Sequence, residues 1–314
     1  MVKVQSKNPY IGERLVGRTE RIGHILLPFP GFDKSFALLS EAKADYVNRA
    51  VIFVHGFSGS ARGTFTDFLS LVDSDLAATR WWETADLFFY HYQWDSIFRK
   101  VSENRIGVTN FIESIVPSPP KALFNVAGND IRASILYEEV FLVGHSEGGL
   151  ILRSIILDAA DADERLEDFK LNRIYKPMNE PEPIGLEIAR LRLFAPAIGG
   201  ESVSGLLGII CNLPFISVIP AAAGAKTTMQ PQSTTVAATR SGTEQYSDYL
   251  KMPCFRAHIL WASKDHIVTP EKYRRDIEYK QSPADTTHTS VCKPTGSYIL
   301  PISFVENGAT SGKA

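Results

Sequence analysis

The feature that most constrains the fold is a repeated alternation between short apolar runs and longer helical patterns, which begins at Ala50. Each apolar run is rich in β-branched and aromatic residues and ends at turn-forming residues. This alternation predicts an α/β fold with a mostly parallel central sheet. Because the runs are almost entirely apolar, we expect helices to cover both faces of the sheet. The predicted strands are residues 51–55, 86–90, 140–143, 191–195 and 258–262.

Further segments complete the predicted domain around this sheet. Helical patterns follow predicted strands at residues 149–158 and 271–279. Residues 1–49 are expected to cover one edge of the sheet, and residues 36–47 within them show a helical spacing. We therefore predict one domain over residues 1–305, followed by a flexible tail of small and polar residues at 306–314.

A lid insertion is predicted at about residues 200–248. Residues 202–225 contain no charged residue, which raises the question of a membrane span, but their glycines and prolines argue against one. Residues 226–243 are rich in Thr, Ser and Gln and have the composition of a flexible loop. We interpret the insertion as a mobile lid over an acyl-binding groove, or as a peripheral membrane contact, with a buried helix pair as the alternative for 202–225.

Charge and cysteine usage narrow the classes of partner and compartment. With 33 Lys and Arg against 35 Asp and Glu in 314 residues, the formal charge is −2. This balance offers no broad positive field and argues against nucleic acid as a partner. Cys211, Cys254 and Cys292 are widely spaced and read as free thiols in a reducing compartment. No apolar run of signal-peptide length opens the sequence, so a cytoplasmic location is predicted.

The strongest chemical signal is the hexapeptide Gly-His-Ser-Glu-Gly-Gly at residues 144–149. It lies between the predicted strand 140–143 and the predicted helix that follows, which is the context of a nucleophile elbow. A serine hydroxyl is a weak nucleophile, so it must protrude from a tight turn where a base can reach it, and small flanking residues permit that turn. We therefore predict that Ser146 is a nucleophile that attacks an ester-like carbonyl.

An oxyanion hole is expected beside this serine. A tetrahedral intermediate needs two backbone N–H donors, one from the residue after the nucleophile and one from an earlier strand-to-helix loop. Glu147 supplies the first N–H, and the loop of residues 55–59 is expected to supply the second. We predict Phe57 as that donor, with Ser58 as the alternative. His55 is interpreted as a structural residue that holds this loop.

The remaining members of a triad should follow Ser146 in the order acid, then histidine. Asp265 comes directly after the apolar run 258–262, and a buried carboxylate there would fix the tautomer of an imidazole. His288 lies well downstream of Asp265 and is the predicted general base. His266 is the competing base, but neighbouring residues at a strand end seldom point together.

The sequence contains no spacing typical of a bound metal ion or nucleotide cofactor. Neither an H-E-x-x-H nor an H-x-H-x-D-H pattern occurs. Gly-rich phosphate-binding patterns are also absent from the predicted strand-to-helix turns. The predicted mechanism therefore uses no metal and no cofactor.

Residues 51–57, 144–150 and 288–294 together resemble the lipase-like α/β-hydrolases grouped around the PGAP1-like and DUF676 serine esterases. The resemblance covers residues 51–294, and its most diagnostic piece is His-x-Ser-x-Cys-Lys-Pro at 288–294. It implies the α/β-hydrolase fold and a hydrolase that acts on lipid or other carboxylic esters, with Ser146, Asp265 and His288 as the triad. Glu147 stands where many relatives carry Met, and the turn 195–200 matches theirs only loosely.

These observations predict a serine esterase that forms an acyl-enzyme intermediate on a small-molecule or lipid ester. Thioesterase, amidase and acyltransferase activities use the same machinery and remain open alternatives. A non-catalytic binding or regulatory module with the same fold is a further alternative, because fold alone does not fix function.

Overall fold

The structure is a computed structural model whose described part comprises most of the predicted sheet and the segments around it. The described residues are 14–15, 24–42, 47–57, 59–69, 80–91, 101–116, 121, 123, 136–159, 186, 189–199, 234–249, 252–279 and 282–309. The predicted segment 202–225 lies outside them.

A single mixed sheet forms the centre of the described structure. Its nine strands lie side by side in the order β1-β2-β3-β5-β4-β6-β7-β8-β9. The strands from β5 to β9 in this order are parallel, whereas β1–β2, β2–β3 and β3–β5 are antiparallel pairs. The bounds are β1 Arg14–Leu15, β2 His24–Pro28, β3 Phe36–Ser40, β4 Arg49–Val54, β5 Ala85–Tyr90, β6 Glu139–His145, β7 Arg190–Phe194, β8 His258–Leu260 and β9 Ile277–Glu278.

Five described helices flank this sheet. Helix α3 follows β6 directly and packs against α2 on one side and α4 on the other, while α1 contacts β4 and β5. Three short 3-10 helices lie at Trp81–Thr84, Ala197–Gly199 and Pro253–Phe255. The α-helices are α1 Ala61–Leu69, α2 Val101–Glu113, α3 Glu147–Ala159, α4 Thr234–Tyr249 and α5 Leu300–Asn307.

Aromatic side chains fix the register of the strands near the candidate site. The ring of Phe89 stacks on that of Phe36 on one side and on that of Phe53 on the other, with 4.6 Å between centroids in each case. These residues are direct cross-strand partners on β5, β3 and β4. Because such pairs contribute about 0.5–1.5 kcal/mol beyond burial, the stack favours this register over a shifted one.

The predicted strands are confirmed to within one or two residues at most of their ends, and helix 149–158 is confirmed as part of α3. Residues 1–49 do supply one edge of the sheet, through β1, β2 and β3. The helical interpretation of 36–47 is wrong, because residues 36–40 form the fully buried strand β3. A strand buried on both faces has no polar alternation, so its apolar residues also satisfy a helical spacing.

The predicted helix at 271–279 is also wrong. The carboxylate of Asp276 accepts hydrogen bonds from the N–H groups of Ala257 (3.1 Å) and Tyr273 (3.0 Å). Residues 277–278 then pair with β8 as strand β9. These tertiary hydrogen bonds override the helix propensity of the charged residues in this segment.

Two predictions of flexibility are corrected. Residues 234–243 of the predicted loop belong to helix α4, whose buried Thr239 hydroxyl lies 3.1 Å from that of Ser154 on α3. Residues 306–309 of the predicted tail are ordered, because α5 extends to Asn307 and the carbonyl of Ala309 accepts a hydrogen bond from the His258 ring at 3.2 Å. A polar composition suggested flexible segments, but buried hydroxyl groups can hydrogen-bond within a folded structure, so composition alone was misleading.

Candidate active site

Ser146 occupies a sharp turn between β6 and α3. Its φ is +54°, a left-handed conformation that costs a non-glycine residue about 1–3 kcal/mol. Three backbone hydrogen bonds hold the turn: the Ser146 N–H donates to Phe194 O at 3.1 Å, and the Ser146 carbonyl accepts from Gly149 and Ala197, each at 3.0 Å. The sheet order and this strained elbow are those of the α/β-hydrolase fold.

Close packing explains the glycine that follows the elbow. A Cβ atom at Gly148 would collide with the carbonyl oxygens of Val54 and His55, at the end of β4. Glycine at 148 therefore lets the start of α3 approach the neighbouring strand closely. The side chain of Ser146 is 3% exposed, so the turn holds its hydroxyl beside the ends of β4 and β6.

The loop predicted to complete the oxyanion hole lies directly against Ser146. A Cβ atom built on Gly56 would be 2.6 Å from Ser146 Cβ and 3.2 Å from Ser146 Oγ. Phe57 is the next residue, and within the described residues its N–H donates no hydrogen bond. The role of the Phe57 and Glu147 N–H groups stays a prediction, and Ser58 lies outside the described residues.

The structure brings Asp265 and His288 together. The Nδ1 atom of His288 lies 2.8 Å from Asp265 Oδ2, and both side chains are about nineteen-twentieths buried, at 6% and 5% exposed. The second carboxylate oxygen of Asp265 accepts the N–H groups of Ile267 at 2.9 Å and Val268 at 3.1 Å. Burial alone would raise the pKa of Asp265, but the hydrogen bond and charge of His288 and these two amides outweigh it and lower that pKa.

Main-chain contacts hold the two loops that carry this pair. The N–H of Lys264 donates to the Thr286 carbonyl at 2.8 Å, and the N–H of Ser263 donates to the Thr286 hydroxyl at 3.1 Å. The competing base His266 is exposed. The carboxylate of Asp265 instead accepts a hydrogen bond from the ring of His288. His288 is thus the partner of Asp265 in the structure.

His145 connects the His288 loop to the elbow. Its Nε2–H donates to the main-chain carbonyl of His288 at 2.7 Å, and the two ring centroids are 4.9 Å apart. The imidazole of His288 therefore lies beside the residue that precedes Ser146. Among the described residues no hydrogen bond joins Ser146 Oγ to the His288 ring; such bonds are often long before substrate binds and shorten afterwards.

Two buried histidines serve as structural supports near the site. Burial and the adjacent His288 lower the pKa of His145 to about 3, so its ring is neutral at pH 7. His55 donates a ring N–H to the Gly56 carbonyl at 2.8 Å, and burial lowers its pKa to about 3. His55 therefore braces the 55–57 loop, in agreement with its predicted structural role.

Sequence reasoning missed the side chain of Glu147. It is 4% exposed at the start of α3, where the Asn104 side chain of α2 hydrogen-bonds to it. Burial raises the pKa of Glu147 from 4.5 to about 7, although the Asn104 hydrogen bond opposes the shift. The signal available in the sequence was a carboxylate that directly precedes the run Gly-Gly-Leu-Ile-Leu at residues 148–152.

Glu147 is expected to make folding stability depend on pH. Because its folded pKa of about 7 exceeds its ordinary value of 4.5, the folded state resists ionisation, and stability falls as pH rises through this interval. Wild type should therefore lose about 3 kcal/mol of unfolding free energy relative to Glu147→Gln between pH 4.5 and pH 8. Urea unfolding at a series of pH values measures the difference.

The matched control for this prediction is Glu138→Gln, because Glu138 is an exposed glutamate just before β6. Its pH profile should parallel that of wild type. If the unfolding free energies of wild type and Glu147→Gln changed in parallel with pH, the raised pKa of Glu147 would be wrong.

A cavity of about 1070 Å³ lies beside β2 and β3, and its lining includes none of Ser146, Asp265 and His288. His91, one of its lining residues, has its ring centroid 5.5 Å from that of His55. Leucine, proline and phenylalanine side chains make up half of the other lining residues, and one acidic and two basic residues lie among them. The apolar residues are Leu26, Leu27, Pro28, Phe29, Phe32 and Phe36, and the charged ones are Asp33, Lys34 and Arg62.

Other expectations concern metals, membranes and thiols. The described part of the chain holds no group of three or more His, Cys, Asp or Glu side chains arranged to bind a metal ion. Within the same residues, no helix has both the length and the apolar character needed to cross a bilayer. Cys254 and Cys292 are buried free thiols, and Cys211 lies outside the described residues.

No protein-family model and no curated protein matches the sequence. Solved structures do resemble it. A Bacillus licheniformis lipase is 16% identical with a TM-score of 0.49, over 89% of this chain and 98% of that chain. A Paleococcus ferrophilus monoacylglycerol lipase is 12% identical with a TM-score of 0.43, over 82% and 92%. A Staphylococcus aureus fluorophosphonate-binding serine hydrolase is 10% identical with a TM-score of 0.42, over 97% and 95%.

Proposed function

We propose that the protein is a serine hydrolase that cleaves carboxylic esters, with Ser146 as nucleophile, His288 as general base and Asp265 as the carboxylate that orients the base. The observation that carries the proposal is the convergence of three chain segments. A strained serine at +54° follows β6, and a buried imidazole–carboxylate pair joined at 2.8 Å lies on loops tied to that elbow. This combination matches the requirements of acyl transfer through an activated alcohol.

The proposed reaction forms an acyl-enzyme and then hydrolyses it. His288 Nε2 takes the proton of Ser146 Oγ as that oxygen bonds to the ester carbonyl carbon, and the carbonyl oxygen becomes an oxyanion. The N–H groups of Glu147 and Phe57 donate to this oxyanion. His288 then returns the proton to the departing alkoxide oxygen, which leaves as an alcohol. Water repeats the sequence on the acyl-enzyme and releases the acid.

Asp265 supports the base through charge and orientation. The carboxylate accepts the Nδ1–H of His288 and thereby leaves Nε2 unprotonated and able to take a proton. Two backbone N–H groups hold the other carboxylate oxygen, so its lowered pKa keeps it ionised at neutral pH. The ionised group stabilises the imidazolium that forms during the reaction.

We further propose an ester with an apolar portion as the substrate class, because an apolar cavity reaches His91, whose ring lies 5.5 Å from that of His55 in the loop next to Ser146. The volume of this cavity, about 1070 Å³, is at the upper end of the range for small-molecule sites, and apolar side chains line much of it. Burial of an acyl or alcohol chain there would contribute about 0.8 kcal/mol per methylene group. The proposed activity is therefore lipase- or esterase-like.

Three further predictions stand beside this proposal. Membership of the PGAP1-like and DUF676 esterase group is proposed from the sequence at 51–57, 144–150 and 288–294. A cytoplasmic location also stays a prediction. So does a membrane contact through residues 202–225, which lie outside the described residues.

Covalent labelling tests the proposed nucleophile. A fluorophosphonate probe should react with the native protein, and peptide mass mapping should locate the adduct on Ser146, because only an activated serine attacks phosphorus at a useful rate. Heat-denatured protein is the control and should remain unlabelled. A correctly folded protein that takes no label, or takes it at another residue, would overturn the assignment.

A further inference from the structure

A second cavity, of about 860 Å³, lies at the edge of the sheet opposite the elbow. Its wall includes Arg190 and His258, the first residues of the parallel strands β7 and β8, whereas Ser146 follows the last residue of the parallel strand β6. Parallel strands start at one edge of a sheet and end at the other. The cavity is therefore separate from the proposed catalytic residues.

Arginine dominates the charge of this cavity. Five arginines and two aspartates are among its lining residues. The arginines come from the start of β7, the segment before β8, and the turn before β9; they are Arg190, Arg192, Arg256, Arg274 and Arg275. Positive charge thus converges on one volume from three separate segments.

The carboxylates at the cavity are already engaged. Asp248 binds both Arg274 at 2.9 Å and Arg275 at 2.8 Å, so one negative charge faces two positive charges. Asp276 is fully buried and binds Arg153 at 2.5 Å, an arginine that is not part of the cavity wall. The lining therefore retains an excess of positive charge.

Arg192 is the most informative member of the cluster because its side chain is buried. It is 3% exposed, and its guanidinium donates to the carbonyls of Leu191, Val305 and Glu306 at 3.1–3.4 Å. No carboxylate among the described residues pairs with it. Its other contact among these residues is the ring of Phe141, 5.2 Å from the guanidinium carbon. A buried guanidinium with carbonyl and aromatic partners but no carboxylate keeps its net charge, which an anion would stabilise.

Neighbouring groups respond to the same positive field. Burial and then Arg190 lower the pKa of Arg192 to about 10. Burial and then Arg192 lower the pKa of His258 to about 4, with Arg256 and Arg190 acting in the same direction. Arg190 does pair with a carboxylate, that of Glu139, at 3.0 Å. Glu139 also binds Arg49 at 2.5 Å, so its one negative charge is shared between two arginines. The lowered pKa values of Arg192 and His258 both agree with a local excess of cations.

We propose that this cavity binds a small anion that carries two or more phosphoryl groups. Guanidinium groups present planar pairs of N–H donors that fit phosphate oxygens, and here they approach from several directions. The volume lies within the range of small-molecule sites and exceeds what one phosphate needs. Ser247 and Asn307, also in the lining, add polar groups at the wall. The phosphoryl groups can belong to a soluble molecule or to a lipid headgroup.

Calorimetric titration of the full chain with inorganic tripolyphosphate tests the proposal without reference to ester hydrolysis. We expect one site per chain, with an affinity that falls as salt is raised. Arg256→Gln should weaken binding at least about ten-fold, as for loss of a hydrogen bond to a charged group. The side chain of Arg256 is exposed and makes no ion pair or hydrogen bond among the described residues, so its replacement should leave the fold intact.

The control is Arg105→Gln on α2, an arginine whose ion-pair partner is Asp158 and which is not part of the cavity lining. It should bind tripolyphosphate like wild type. A parallel arm measures flotation with phosphatidylcholine vesicles, with and without phosphatidylinositol bisphosphate.

Three outcomes separate the possibilities. Tripolyphosphate binding that Arg256→Gln weakens supports a soluble phosphorylated ligand. Retention only on phosphoinositide vesicles, lost in Arg256→Gln, supports the lipid headgroup. Absence of both, or equal effects of Arg256→Gln and Arg105→Gln, would show that the cavity is no phosphate site and overturn the proposal.

Discussion

Ser146→Ala should reduce kcat/KM for p-nitrophenyl ester hydrolysis by about 10⁴-fold or more. The substitution removes the oxygen that attacks the carbonyl, while the backbone hydrogen bonds of the elbow remain. Alanine and serine meet the same steric cost at a φ of +54°, so folding should change little. Steady-state kinetics with active-site-independent protein quantification and a thermal unfolding curve give the two readouts.

Ser154→Ala is the matched control for this loss. Ser154 lies within α3, about two helical turns after Ser146. It is buried and hydrogen-bonds to the Leu150 carbonyl and the Thr239 hydroxyl. Its loss should lower stability slightly and leave kcat near the wild-type value. Activity of folded Ser146→Ala within ten-fold of wild type would mean that another residue attacks the ester, and the proposed mechanism would be wrong.

Asp265→Asn should lower kcat by about 10⁴-fold with little change in KM. The Ile267 and Val268 N–H groups would still bind the amide oxygen, so the amide nitrogen would face His288 Nδ1. The imidazole of His288 would then accept a hydrogen bond at Nδ1 and carry its proton on Nε2. A protonated Nε2 cannot take the proton of the serine hydroxyl. The base would be present in the wrong tautomer.

A nearby aspartate on the surface provides the comparison for this variant. Asp285 pairs with Lys264 and its side chain is 81% exposed. Asp285→Asn keeps a residue that tolerates the φ of +60° at this position and should retain full activity. If Asp265→Asn and Asp285→Asn had equal kcat values, Asp265 would have no part in orienting the base.

The sequence was most informative where one local pattern matched one tertiary role. Buried parallel strands produce apolar runs, and the elbow at 144–149 has a fixed strand-turn-helix context, so β4 to β8 and Ser146 could be located from the residues alone. The order acid, then histidine, led to Asp265 and His288, which the structure joins by a hydrogen bond.

Prediction failed where distant contacts decide the local conformation. Residues 271–279 have helix-forming side chains, yet Asp276 accepts N–H groups from Ala257 and Tyr273 and directs the chain into strand β9. Thr239 and Thr243 suggested a loop, but their hydroxyls bond within and beside helix α4. No local pattern records these partners, and the burial of Glu147 was hidden for the same reason.

The contact between the His145 ring and the main chain of His288 has a mechanical consequence. Because the anchor point is a backbone carbonyl, the imidazole of residue 288 can turn about its own side-chain bonds without releasing the clamp. The proposed nucleophile and the proposed base then stay linked through this hydrogen bond, so we expect the surrounding loops to rearrange for a bulky ester without separating the two.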